Sequence, residues 1–284
     1  MVICAALVST SFTVGAAIAT EIDPALLTLG RFLLAACIFG PWVYYRYGLC
    51  FSWSLFFRCS LISGSLVIFF WCMFFSLRYT TALNTSVIFA LVPSISGGYA
   101  LILTRERLSK ERLLALFCGM VGVVWVIFKG DLSLLLSTQW NKGDLVFLAG
   151  CFAMGLYTPL IQLLHRGESI AVMTFWVLVT GVCWLLLLAA PQFSTMNLAA
   201  VPTFVWLGIL YLAVFTTIIT FFLTQYFVPL LGPTRVMAYS YLYPGLVLLI
   251  DLALGHTPPP LIVIPGIVVI LAATFILQRS PRKT

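Results

Sequence analysis

Polar side chains are scarce in this sequence, and those inside its apolar runs are the ones whose types and spacing could do chemistry. Asn84, Thr85 and Ser86 stand in a row early in one run, and Pro93 follows within it. Polar groups are costly in hydrocarbon, so they usually face a cavity or another helix. A proline inside a helix removes one hydrogen bond and frees the carbonyl four residues earlier. That carbonyl belongs to Phe89 for Pro93, and to Ser240 for Pro244 in a second run. Freed carbonyls in kinked helices suit a substrate site; a kink that only aids packing is the alternative. Tyr239 and Tyr243 are four apart and share one helical face. With Trp71, Phe74, Phe75 and Tyr157 they could line a pocket that holds an amphipathic solute by apolar contact and cation–π attraction. Ordinary packing or an interfacial aromatic belt is the alternative. Thr216, Thr220 and Thr224, with Gln225 beside them, form a stripe at four-residue spacing. Such hydroxyls commonly join helices in membranes, and Ser9 and Thr13 read the same way. Gln162, after Pro159, is a further cavity candidate.

Four ionisable residues stand out. Arg31 lies about two turns into an apolar run and Arg235 opens another. Either could neutralise a carboxylate, reach out to the membrane interface or pair structurally. Asp251 could carry a proton or be solvated at the interface. His256 has a side chain suited to proton sensing, but its place before Thr257 and three prolines reads as an exposed loop. The sequence holds no HExxH, no paired carboxylates and no nucleophile elbow, and its two histidines, His165 and His256, fall near opposite expected faces. Catalysis normally leaves such a constellation, so no enzyme, no catalytic residue, no metal site and no cofactor is expected. The eight cysteines form no CxxC pair and read as small buried hydrophobes.

The elements that must position these residues follow from composition. Of 284 residues 62% are hydrophobic and 8% charged, against about 25% charged in soluble domains. The bilayer is therefore the main solvent. About 20 apolar residues are needed for a membrane-spanning helix. Ten such stretches run approximately over 2–19, 24–45, 58–77, 80–104, 112–129, 144–165, 170–190, 203–228, 233–254 and 259–278. Only helices or closed barrels satisfy the backbone in lipid, and these runs are too long and continuous for alternating barrel strands. The first stretch ends in an alanine-rich segment but lacks a basic region before it, so it is expected to be a retained helix rather than a signal peptide.

The net charge of +7 sits between the helices, which excludes a basic nucleic-acid-binding face. With both termini in the cytoplasm, that side holds Arg46, Arg58, Arg105, Arg107, Lys110, Arg112, Arg166, Arg279, Arg282 and Lys283, and the other only Arg78, Lys129 and Lys142. The positive-inside rule selects this orientation. The longest loop, Asp131 to Gly143, divides the chain into halves of five helices. Ala82–Pro93 and Pro233–Pro244 occupy the fourth position of each half, and an odd number of helices per half inverts one half relative to the other. The expected fold is an all-α membrane protein with ten transmembrane helices in two inverted five-helix repeats, 1–130 and 143–278.

Several motifs in order carry a resemblance. Pro24 and Arg31-Phe-Leu-Leu-Ala-Ala36 are followed by Leu77-Arg-Tyr-Thr-Thr-Ala82, Leu91-Val-Pro93 and Arg105-Glu-Arg-Leu-Ser109, then by Gly119 and Gly122. Asn141-Lys-Gly-Asp144, Leu231-Gly-Pro-Thr-Arg-Val236 and Tyr241-Leu-Tyr-Pro244 complete the series. The chain resembles the EamA-type family of the drug/metabolite transporter superfamily over nearly its whole length. Two positions depart from that pattern: Val8-Ser9 replaces an early tryptophan-glycine pair, and His256 stands where a glutamate usually matches Glu106. The resemblance implies a ten-helix carrier with a central cavity that exports amino acids or other small metabolites without ATP. It also implies a peripheral second helix, and so a structural role for Arg31. An importer on the same fold and a non-transporting membrane sensor are the alternatives. Phosphate-bearing substrates should need more basic residues than Arg31 and Arg235. The expected partners are a small-molecule substrate and the lipid bilayer, not nucleic acid. A monomer in the cell membrane, the bacterial inner membrane, is expected.

Overall fold

The structure, a computed structural model, describes residues 1–48, 51–106, 109–127, 141–194, 201–255, 262 and 264–279. Helix makes up nearly all of it, with no strand among the described residues. The first half contains α1 (Val2–Ile18), α2 (Pro24–Tyr47), α3 (Trp53–Ser76), α4 (Ala82–Phe89), α5 (Val92–Tyr99) and α6 (Lys110–Ile127). The second contains α7 (Lys142–Leu164), α8 (Ile170–Ala189), α9 (Thr203–Ala213), α10 (Thr220–Leu231), α11 (Pro233–Ala238), α12 (Tyr243–Ala253) and α13 (Ile264–Arg279). A π-helical segment, Val214–Ile219, joins α9 to α10, and another, Ala100–Thr104, ends α5. Among the described residues, six helical stretches are long and apolar enough to cross a membrane: Pro24–Tyr47, Trp53–Ser76, Ala82–Thr104, Lys142–Leu164, Ile170–Ser194 and Thr203–Leu231. Large apolar side chains such as Ile102, Leu187 and Leu249 cover the outside of the bundle, as a lipid-facing surface requires.

Helix starts follow local chemistry. The Asp23 carboxylate accepts from the Ala25 N–H at 2.8 Å, with Pro24 in the first turn of α2. Thr81 Oγ1 accepts from the Asn84 N–H at 3.1 Å, and Asn141 Oδ1 from the Gly143 N–H at 3.1 Å. Gly232, at φ 89°, lets the chain turn from α10 straight into α11.

The helices pack in exchanged pairs. Helix α3 lies on α7, while α1 lies on α9 and α10. Helix α3 also meets α8, while α9 meets α2; α4 and α5 meet α7, while α12 meets α1. The remaining main contacts, α2 with α8, α6 with α13, α4 with α12 and α5 with α11, each join equivalent positions of the two halves.

Between α7 and α8 the loop is fastened to α3. Arg58 Nη1 donates to the Leu164 carbonyl at 2.6 Å, and Nη2 forms an ion pair with Glu168. Burial alone would raise the Glu168 carboxyl, but hydrogen bonds from Arg58 and from the Arg166 N–H outweigh it and hold it down at about 2. A carboxyl depressed in the folded state adds stability above its unfolded pKa and loses it as pH falls through the folded value. Glu168→Gln is therefore expected to cost about 0.5 kcal/mol at neutral pH. In thermal unfolding across pH, the gap to wild type should close between about 4.5 and 2.

Candidate functional site

Both fourth-position helices are broken at their prolines. Helix α4 ends at Phe89; Ala90 and Leu91 make short i−3 bonds to Val87 and Ile88, and α5 restarts with Pro93 in its first turn. In the second half α11 gives way to a 3₁₀ turn, Tyr239–Leu242, before α12 begins with Pro244 in its first turn. Proline has no N–H to continue a helix but fits a first turn, so each break falls just ahead of one. The two breaks touch. The rings of Phe89 and Tyr243 lie 5.2 Å apart, Phe12 of α1 packs on both, and Ser94 Oγ is 3.2 Å from the Tyr241 hydroxyl.

A constricted cavity opens at this junction, with a volume of about 40 Å3. Phe12, Phe69, Phe70, Phe89, Phe221 and Tyr243 supply an aromatic wall. Ser11, Thr216, Thr220 and Thr224 add hydroxyls, and Cys4 and Tyr157 complete the polar lining. Arg31 also lines it and is the only charged side chain in its wall among the described residues.

Arg31 is 1% exposed. Its Nε donates to Thr217 Oγ1, and Nη2 donates to the Thr216 carbonyl at 2.6 Å. The guanidinium carbon lies 4.0 Å from the Phe70 ring centroid, a cation–π contact. Nη1 has no hydrogen-bond partner. Thr216 and Thr217 lie in the π-helical segment, whose wider turn disturbs the regular ladder and leaves backbone groups available; such segments recur at functional sites. The Tyr157 hydroxyl, with Gln225 as a polar neighbour, is also buried without a well-formed hydrogen bond.

Of the residues singled out in the sequence, Tyr157 and Tyr243 line this cavity. Pro93 and Pro244 stand at the breaks beside it. Ser240 is buried in the 3₁₀ turn with its hydroxyl unpartnered, and Tyr239 next to it is half-buried. The rest are elsewhere. Asn84 is exposed in the first turn of α4, where Nδ2 donates to Thr80 Oγ1, and Thr85 is buried with its hydroxyl donating to the Ala82 carbonyl at 2.9 Å. Trp71 and Phe75 stack on each other at 5.3 Å, and Trp71 lines an apolar groove between α3 and α8 with Trp184. Arg235 is half-buried in α11, where neighbouring Thr234 donates to Glu106 Oε2 at 2.8 Å. The side chain of Asp251 and all of His256 lie outside the described residues.

Arg31 and the threonine stripe join helices as the sequence reading had it, Arg31 through Thr217, and Thr224 beside Cys4 Sγ at 3.9 Å, but their place differs. Helix α2 packs on α3, α8 and α9, so Arg31 is interior rather than peripheral, and Thr216, Thr220 and Thr224 face the cavity. The signal for Arg31 was present, since a charge inside an apolar run marks a functional site by default. Its partner Thr217 lies 186 residues away, beyond the reach of any local pattern.

The EamA-like transporter family matches residues 1–128 and 141–279. The uncharacterized transporter YyaM of Bacillus subtilis (strain 168) is 24% identical over 198 residues, covering 70% of this chain and 65% of that protein. The chain thus spans slightly under two thirds of that relative's length. An uncharacterized transporter of Archaeoglobus fulgidus is 26% identical over 226 residues, covering 79% of this chain and 77% of that protein. One solved crystal structure superposes with a TM-score of 0.68 at 14% identity, over 96% of this chain and 93% of the other, a likeness of fold.

Proposed function

The chain belongs to the EamA-like transporter family, and on that premise we propose that this membrane transporter is a secondary carrier exporting amino acids or similar small amphipathic metabolites. Ten helices would cross the membrane as two inverted repeats, 1–130 and 143–278, with both termini in the cytoplasm and the inner membrane of a bacterium as the site. The halves would rock about the central cavity, exposing it to one side and then the other.

The meeting of the two broken helices at Phe89 and Tyr243 carries this reading. Discontinuous helices at a repeat interface are where secondary transporters bind their solutes. The exchange of packing partners between the halves supports internal duplication. A ring-lined cavity with Arg31 in its wall suits a solute with a polar end and an apolar body.

Counterflow into proteoliposomes preloaded with mixed amino acids tests the proposal, with labelled aromatic, aliphatic and sulphur-containing species supplied in turn. Uptake of one class supports a carrier; no flux from that pool or from a pool of other small metabolites would move the reading to a non-transporting sensor. The breaks should act as hinges. Pro244→Ala, which restores an N–H and favours a continuous helix, is expected to slow counterflow about tenfold, or about 1.4 kcal/mol of barrier. An unchanged rate in a folded variant would remove the hinge role.

A further inference from the structure

We propose that Arg31 is the recognition point for the carboxylate of a singly charged, apolar-bodied organic acid. The inference rests on the central cavity being the substrate site and narrows the substrate class it takes.

Three observations converge on it. The guanidinium is held from one side only. Nε and Nη2 are committed to Thr217 and to the Thr216 carbonyl, and the ring of Phe70 covers the cation. Nη1 is left buried with no partner, on a side chain that lines the cavity. A cation in low dielectric needs an anion or a full set of acceptors, and neither the π-helical carbonyl nor the threonine hydroxyl carries charge. Among the described residues no acidic side chain lines the cavity to supply the anion.

Free donors set the class. The one unpartnered guanidinium nitrogen suits a single carboxylate. The aromatic wall then selects an apolar body. An ammonium group finds no ionised acceptor in the wall. The hydroxyls of Ser11, Thr216 and Thr220, which donate to carbonyls of their own helices at 2.6, 3.0 and 2.9 Å, offer it only neutral acceptors. An α-amino group is therefore dispensable for binding, and the carboxylate is not.

Ligand binding to the full chain, purified in nanodiscs, separates these terms. The probes are 3-phenylpropanoate, its uncharged amide 3-phenylpropanamide, phenylalanine and 2-phenylethylamine, read by thermal shift and equilibrium binding, with chloride as an anion control. The acid should bind at least tenfold more tightly than the amide and no more weakly than phenylalanine, and the amine should not bind. In Arg31→Gln the acid and amide should bind alike, while Arg31→Lys keeps part of the preference. Should Arg31→Gln not fold, Thr217→Val, which removes the acceptor that orients the guanidinium, should lower the acid-to-amide ratio about threefold. Equal binding of acid and amide by wild type, an unchanged ratio in Arg31→Gln, or protection by chloride equal to that by the acid would each overturn the assignment. Counterflow on the same preparations keeps the two readings apart. Arg31-dependent binding without flux retains the carboxylate site and rejects the carrier. Flux of the amine or amide unaffected by Arg31→Gln retains the carrier and rejects the site.

Discussion

Arg31→Met is expected to raise the thermal midpoint of the purified protein while abolishing binding and counterflow of an acidic solute. A side chain that only braced the fold would show the reverse, a lowered midpoint. The expectation follows from what the substitution leaves behind. Removing one partner of a buried pair is costly when the other is left unsatisfied, but here neither is. The Thr216 carbonyl still accepts from Thr220 Oγ1 at 2.9 Å, and Thr217 Oγ1 still donates to the Leu212 carbonyl at 2.8 Å. Methionine keeps an unbranched apolar stem among Phe32, Phe70 and Phe221, whose rings already pack on one another. The uncompensated charge disappears. Replacing buried ionic groups by apolar ones of similar size is often neutral or stabilising by about 1–4 kcal/mol, and about 1 kcal/mol is expected here. A rise in stability with loss of function is the trade-off anticipated where a site is held in a strained electrostatic state.

The second large effect lies at the interface of α3 and α7, which joins the two halves of the chain. A Cβ at Gly150 would stand 2.7 Å from the Cβ of Cys72 and 3.5 Å from the Phe69 carbonyl oxygen. Neither atom can swing aside, since both are fixed to the backbone of α3. Close approach through small residues is how membrane helices gain packing energy without a hydrophobic driving force between them. Gly150→Val is therefore expected to destabilise the protein by about 3 kcal/mol, the upper end of overpacking costs. Gly98 of α5 is the control, because an added Cβ there meets nothing within 4 Å. Gly98→Ala should be neutral or stabilising by about 0.5 kcal/mol. Chemical denaturation in mild detergent separates the two. A Gly150→Val variant as stable as wild type would mean that α3 and α7 do not press together as closely as the structure has them.

Particular residues show how far the sequence reached. The row Asn84-Thr85-Ser86 looked like one polar cluster, yet its members lie in the first turns of α4 and point apart. Asn84 is exposed and Thr85 is spent on its own helix. Trp71 and Tyr157 looked equivalent as aromatic candidates; one faces the outer groove and the other the cavity. The prolines were legible because their effect is local. Pro93 and Pro244 each follow a break, whereas Pro41, Pro159 and Pro229 lie inside continuous helices.

Composition alone determined that this chain lives in a bilayer, because a backbone in hydrocarbon must satisfy its own hydrogen bonds and long apolar runs can do so only as helices. The sequence also marked the two matched prolines beside which helices break, and the ordered motifs determined the family. Which face of each helix turns inward was decided only by the tertiary structure. In a water-soluble protein the solvent writes that choice into the sequence as an apolar stripe. Here lipid and interior are alike apolar, so an inward Phe221 and an outward Leu187 look the same in the sequence. The pairing of Arg31 with Thr216 and Thr217, and with it the charge of the cavity, depended on a fold that brings α2 against a π-helical segment more than 180 residues away.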